Sequence, residues 1–226
     1  MSSRFPPSAP ADIAQLIDHA LLDPRAGQQA VELCCQEALH YGFAGVCLAS
    51  RWMPLARRLL GDRGVNKTKL VSVVGFPFGA VAASIKRAEA ELATENGADE
   101  LDLVPDFALL MDGELTALHD EIAAIVELGP EVKLILEANQ LSQPQLEALV
   151  EVALDAGVSY LKSSSGYGPA VEPALIEQLH LLARGQAKLK ASGGIRSLEQ
   201  AIALVQAGAD RLGTSRGVAL AKEQRA

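Results

Sequence analysis

QPQLEALVEVALDAGVSYLKSSSGYG, residues 143–168, holds one complete structural unit. Leu146, Leu149, Val150 and Ala153 recur at helical spacing, and Gly157 supplies a stop. VSYLK then reads as a short buried strand ending at Lys162, followed by a Ser/Gly loop. NGADELDLV (96–104) and QAGADRLGTS (206–215) repeat the design of a glycine stop, a small residue and a strand. Further strand-like runs are LIDHALL (16–22), FAGVCLAS (43–50), KLVSVVGF (69–76), VKLILEA (132–138) and AKLKAS (187–192). Each run is followed by an amphipathic helical stretch, so the pattern is that of a single-domain (β/α)8 TIM barrel. A doubly wound open sheet is the alternative, because alternation alone does not show closure. Asp23 with Pro24 is expected to cap the first helix and Ser84 a later one, with Gly42 and Gly97 as stops. Residues 1–10 read as a flexible arm ahead of a barrel domain spanning 11–226.

Composition narrows the function. Apolar residues make up 49% of the 226-residue chain and aromatics only 4%, which suits helices rich in Ala and Leu packed on parallel strands. The net charge of −8 argues against a nucleic-acid or anionic-membrane surface, so any anion site must be local. Three cysteines without a CxxC pattern, and four scattered histidines, give no disulfide framework and no metal-ligand spacing. No cofactor or metal is expected. The longest apolar run, residues 70–85, is interrupted by Gly and Pro and falls short of the roughly 20 residues that span a bilayer. A cytoplasmic setting is expected.

The chemistry lies at the strand ends, where barrel enzymes place their reacting groups. Lys162 and Lys190 end apolar runs on consecutive strands, roughly 5 Å apart. Placed side by side, each is expected to lower the other's proton affinity, which favours a nucleophilic amine able to form a Schiff base. The competing reading is a pair of lysines that extend outward to water. Lys188 shares the parity of Lys190 but begins its strand, away from the expected mouth.

SGYG, SGGIR and GTSRG expose backbone amides with little side-chain obstruction, as a phosphate cradle requires, and Arg196 and Arg216 stand beside them. Either they form such a cradle or each is only a tight turn. Asp102, with Glu100 at the same parity, sits in an apolar strand and needs a partner. That partner is either a lysine across the barrel, giving a proton relay, or a loop or helix terminus. Asp18 and His19 are a second polar pair on an apolar strand, and Glu137 either lines the mouth or fixes a neighbouring loop. Cys47, at a strand end, is either an inert buried thiol or a group facing the mouth.

In that order, LIDHALL, YGFAGVCLAS, VVGFPFGA, GADELDLV, LILEANQLS, YLKSSSGYG, KASGGIR and AGADRLGTS together resemble the deoxyribose-phosphate aldolase family. The resemblance implies a class I aldolase that cleaves 2-deoxy-D-ribose 5-phosphate reversibly to D-glyceraldehyde 3-phosphate and acetaldehyde. By the same resemblance Lys162 is the Schiff-base lysine, Lys190 perturbs it, and Asp102 relays protons. Gly166, Gly193, Gly194, Gly213 and Ser215 match the phosphate cup, with Arg196 and Arg216 adjoining; Asp18 and Cys47 are candidate pocket residues. The expected partners are a phosphorylated sugar and acetaldehyde, with a homo-oligomer in view. Four features depart from the family pattern. Ala20 replaces a threonine, the turn after Lys162 is SSSG, Arg216 replaces a second serine, and the C-terminus lacks a tyrosine. An isomerase, or a non-catalytic sugar-phosphate binder on the same barrel, is the competing function.

Overall fold

A computed structural model describes residues 12–226, so the expected arm at residues 1–10 lies outside the described residues. The strands are β1 (Ile17–Leu21), β2 (Gly45–Ala49), β3 (Lys69–Val74), β4 (Glu100–Leu103), β5 (Glu131–Ile135), β6 (Tyr160–Lys162), β7 (Lys188–Ser192) and β8 (Arg211–Thr214). All pair in parallel and in sequence order, and β8 pairs with β1 to close the barrel. The sheet therefore closes, and the open-sheet alternative falls.

The helices are α1 (Gln28–Tyr41), α2 (Met53–Leu60), α3 (Ala83–Glu95), α4 (Phe107–Asp112), α5 (Leu115–Val126), α6 (Gln143–Asp155), α7 (Pro173–Ala183), α8 (Leu198–Gln206) and α9 (Gly217–Gln224). Their apolar faces cover the outward-turned strand residues, such as Leu101, Leu134 and Leu161, all fully buried. α6 and α8 open on reciprocal capping boxes at Ser142 and Ser197. Gly42 ends α1 in the left-handed conformation, as expected.

Two expected caps are corrected. α1 begins only at Gln28, with Gly27 before it, because Asp23 spends its carboxylate on the Arg25 amide and guanidinium in a local turn. α3 begins after Ala82, where the chain is already extended, so Ser84 falls inside the first turn. The repeated GAD phrase has a shared cause. Asp99 Oδ2 accepts from the Leu70 amide and Asp210 Oδ2 from the Leu189 amide, each at 2.8 Å, tying a strand to the start of the one before it.

The inward parity carries the surprise. Where barrels are usually filled by branched apolar side chains, this one holds Asp18, Glu100, Asp102, Lys133, Lys162, Lys190 and Arg211.

Candidate active site

Asp102 is the hub. Its Oδ2 accepts from Lys162 Nζ at 2.8 Å and from Lys190 Nζ at 2.7 Å, while Oδ1 accepts from Lys133 Nζ at 3.0 Å. Lys133 also lies 2.6 Å from Glu100, and Lys190 lies 2.5 Å from Asp18. Arg211 closes the circuit, 2.6 Å from Asp18 and 3.4 Å from Glu100. Strand register makes these meetings unavoidable: Lys162 is level with Lys190, Asp102 with Lys133, and Lys190 with Arg211.

Charges this deep survive only in each other's company. Burial pushes the Asp102 carboxyl up, but Lys133, Lys162 and Lys190 overcome it and hold it well below the carboxylate range. Asp18 is likewise held at about 2, burial being outweighed by Lys190 and Arg211. For Lys190, burial opposes the charge, yet Asp102 and Asp18 hold the ammonium above the ordinary lysine range. This corrects the expectation that Lys190 would lose proton affinity beside Lys162; two carboxylates outweigh one like charge. Among the described residues of this interior, four cations face three carboxylates, a surplus of one positive charge if all ionise.

A cavity of about 400 Å³ opens above Lys162 and Lys190, at the carboxyl ends of the strands. Gly166, Gly193, Gly194, Gly213, Ser215, Arg196 and Arg216 all line it, so every expected cup residue reaches the same space. Gly193 and Gly194 hold φ of +100° and +70°, a region that disfavours side chains. A Cβ on Gly194 would lie 2.5 Å from the Ala170 Cβ, and one on Gly213 would lie 3.1 Å from Lys190 Cε. Neither Arg196 nor Arg216 forms an ion pair among the described residues, so both guanidiniums are available to an anion.

The other candidates take distinct places. Glu137 fixes a loop: its carboxylate accepts from Ser164 Oγ at 2.9 Å and the Ser165 amide at 3.0 Å. Asp18 lies below the cavity, between Lys190 and Arg211, and His19 turns outward to Glu37. Lys188 reaches Glu131 and the Tyr160 ring at the far end of the barrel. Sequence reasoning missed Lys133 and Arg211. Both share the inward parity of their strands, and Arg211 occupies in GADRLGTS the place of Glu100 in GADELDLV.

Cys47 lines the cavity with its Sγ 3.7 Å from Asp102 Oδ2, and burial, followed by the Asp102 charge, pushes the thiol up to about 11. A protonated thiol is a weak nucleophile at neutral pH. Inactivation by unsaturated aldehydes, if it proceeds through Cys47, will therefore accelerate with rising pH. Cys47→Met will abolish that acceleration in a timed incubation with concentrated acetaldehyde; equal, pH-independent inactivation of both forms would assign the damage elsewhere.

Among the described residues, no group of three or more His, Cys, Asp or Glu side chains is placed to hold a metal ion. No helix there is long and apolar enough to cross a membrane.

No protein-family model matches the chain. Curated relatives do. The chain is 46% identical over 216 residues to the deoxyribose-phosphate aldolase of Microcystis aeruginosa, covering 95% of each protein. It is 44% identical over 219 residues to that of a Cyanothece species, covering 96% of this chain and 95% of the relative. Among solved structures it is similar to the tetrameric deoxyribose phosphate aldolase of Aeropyrum pernix, with a TM-score of 0.85 and 36% identity over 95% of this chain and 91% of that one.

Proposed function

The chain belongs to the deoxyribose-phosphate aldolase family, and on that premise we propose that Lys162 is the amine that carries its aldol chemistry. The carrying observation is the position of Lys162: its Nζ shares one carboxylate oxygen of Asp102 with Lys190 beneath the open cavity.

In the cleavage direction the open-chain aldehyde of 2-deoxy-D-ribose 5-phosphate meets the Lys162 amine, and loss of water gives an imine. The C3 hydroxyl gives up its proton as the C2–C3 bond breaks, releasing D-glyceraldehyde 3-phosphate and leaving an enamine. Protonation of the enamine and hydrolysis return acetaldehyde and the free amine. Lys162 must be neutral to begin. Lys133, Lys190 and Arg211 already match Asp18, Glu100 and Asp102, which leaves Lys162 as the cation without a carboxylate of its own. Lys190, held as an ammonium, supplies the fixed charge, and Asp102 moves protons between the lysines and the substrate. An isomerase needs no reactive amine and leaves this arrangement without a purpose. Borohydride reduction with acetaldehyde, mapped to the modified residue, tests the reading.

The amides of Gly193 and Gly194, with Ser215, cradle the phosphate, and Arg216 adds a charge-assisted contact. Such a bond contributes about 1.5–3 kcal/mol, roughly ten- to a hundredfold in affinity, with exposure pulling this one toward the lower figure. Arg216→Ser will accordingly weaken kcat/KM for deoxyribose 5-phosphate about tenfold and leave unphosphorylated deoxyribose nearly untouched. The difference will shrink at high salt. An equal effect on both sugars would remove Arg216 from the cup. The Aeropyrum relative supports a homo-oligomer, to be measured by light scattering, and the chemistry suits the cytoplasm, where phosphorylated sugars are retained.

A further inference from the structure

Glu137 carries a backbone cost beside the strand of the reacting lysine. It follows β5 with φ of +47° and ψ of 43°, a left-handed conformation that disfavours side chains. Arg184, the other non-glycine residue of positive φ among the described residues, merely ends α7. Such a conformation persists where the surroundings hold it, and here they do so on every side. The flanking Leu136 and Ala138 amides donate to the carbonyls of Lys162 and Ser163, at 2.8 and 3.0 Å. The carboxylate accepts from Ser164 Oγ at 2.9 Å through Oε1 and from the Ser165 amide at 3.0 Å through Oε2. The loop wraps it so closely that a Cβ on Gly168 would lie 2.6 Å from Oε1.

Ser164 passes this hold to the next strand. It is buried, and its Oγ also accepts from the Gly166 amide at 2.9 Å. Its side chain abuts the turn after β7: a Cβ on Gly193 would lie 3.2 Å from Ser164 Oγ. Around that contact the two loops are bonded together. Ser192 Oγ donates to the Ser164 carbonyl, the Ser192 amide to Ser163 Oγ at 3.0 Å, and the Val171 amide to the Gly193 carbonyl at 3.0 Å. A carboxylate at the end of β5 is thereby linked to the turn two strands away. Glu137 itself does not line the cavity.

The geometry points to Glu137 as a positioning residue for the phosphate cup, acting through Ser164. The inference rests on the cup reading proposed above. Without the carboxylate, the buried Ser164 hydroxyl loses its acceptor, and an unsatisfied buried hydroxyl is costly enough to move the loop. Gly193 and Gly194 then lose the wall behind them, and amides no longer held in line make poorer bonds to an anion. Lys162 stays in place, because the Leu136 amide holds its carbonyl and Asp102 its amine. The loss therefore falls on phosphate and spares the amine chemistry.

The full chain is assayed with 2-deoxy-D-ribose 5-phosphate and with unphosphorylated 2-deoxy-D-ribose. Glycine adopts the left-handed backbone freely, so Glu137→Gly removes the carboxylate without adding strain. It will raise KM for the phosphorylated sugar about tenfold, the scale of a charge-assisted hydrogen bond, with kcat within about twofold. Turnover of the unphosphorylated sugar and exchange of acetaldehyde methyl protons will stay within about twofold of the parent. Glu137→Gln, which keeps an acceptor for the Ser165 amide, will recover most of the loss. Ser164→Ala will reproduce it, and the double variant will be no worse than either single one. An equal fall on both sugars, additive losses in the double variant, or an unchanged KM in Glu137→Gly would each overturn the inference. Gly194→Ala tests the cup itself. A phosphate preference that survives there would overturn the cup reading and this inference together. A preference lost in Gly194→Ala but kept in Glu137→Gly would overturn this inference alone.

Discussion

Borohydride reduction in the presence of acetaldehyde will leave an ethyl group on Lys162, and Lys162→Ala will lose both the label and turnover. The expected loss in kcat is about a thousandfold or more, roughly 4 kcal/mol of transition-state stabilisation, because no other amine at the cavity floor is free of a carboxylate of its own. Lys190 is clamped by Asp18 and Asp102, and Lys133 by Glu100 and Asp102. The variant should fold normally. Removing one of four interior cations leaves three facing three carboxylates, and Asp102 keeps both Lys133 and Lys190, so no buried charge is stranded. An unchanged melting temperature with vanished activity is thus the expected pair of results. A label recovered on Lys190 or Lys188, with turnover retained in Lys162→Ala, would overturn the assignment.

Much of this site was legible because β-strand parity is strict. Lys162 ends β6, while Lys190 and Asp102 lie within β7 and β4, and all three hold the parity that the barrel turns inward. The glycine-rich phrases were legible for a related reason, since their amides need room that side chains would fill. Two kinds of information were missing. Closure of the sheet depends on β8 meeting β1, a contact between residues nearly the full chain apart, which no local pattern encodes. The charge state of Lys190 depends on Asp18, 172 positions away in sequence, whose carboxylate reverses the sign expected from Lys162 alone. Lys133 and Arg211 were passed over because each sits low in its strand, where a cation reads as a solvated strand start. Asp23 and Ser84 misled because a capping residue type says nothing about whether its side chain is already engaged, as Asp23 is with Arg25.

The interior charge surplus gives the remaining large effect. Lys190→Leu leaves three cations and three carboxylates, so Lys162 becomes the only lysine on Asp102 Oδ2 and its proton is held more tightly. Imine trapping will then require a higher pH, because Asp102 favours the ammonium form once the competing charge is gone. Lys133→Met removes the same charge from below, and Lys133 does not line the cavity. It will displace the pH profile in the same direction while exchange of acetaldehyde methyl protons survives at high pH. Lys190→Leu, at the cavity itself, will displace the profile and lose the methyl-proton exchange as well. Asp102→Asn makes the converse change. Lys190 keeps Asp18 and Lys133 keeps Glu100, so the protein stays folded, while Lys162 loses the carboxylate that favours its ammonium form. Trapping will extend to lower pH, yet methyl-proton exchange, followed by NMR in deuterated water, will slow about a hundredfold for want of the relay. Opposite displacements in Lys190→Leu and Asp102→Asn are the signature of a lysine tuned by the balance of charge around it. Profiles that move together, or stay fixed while exchange is unchanged, would show that Lys162 is set by burial alone.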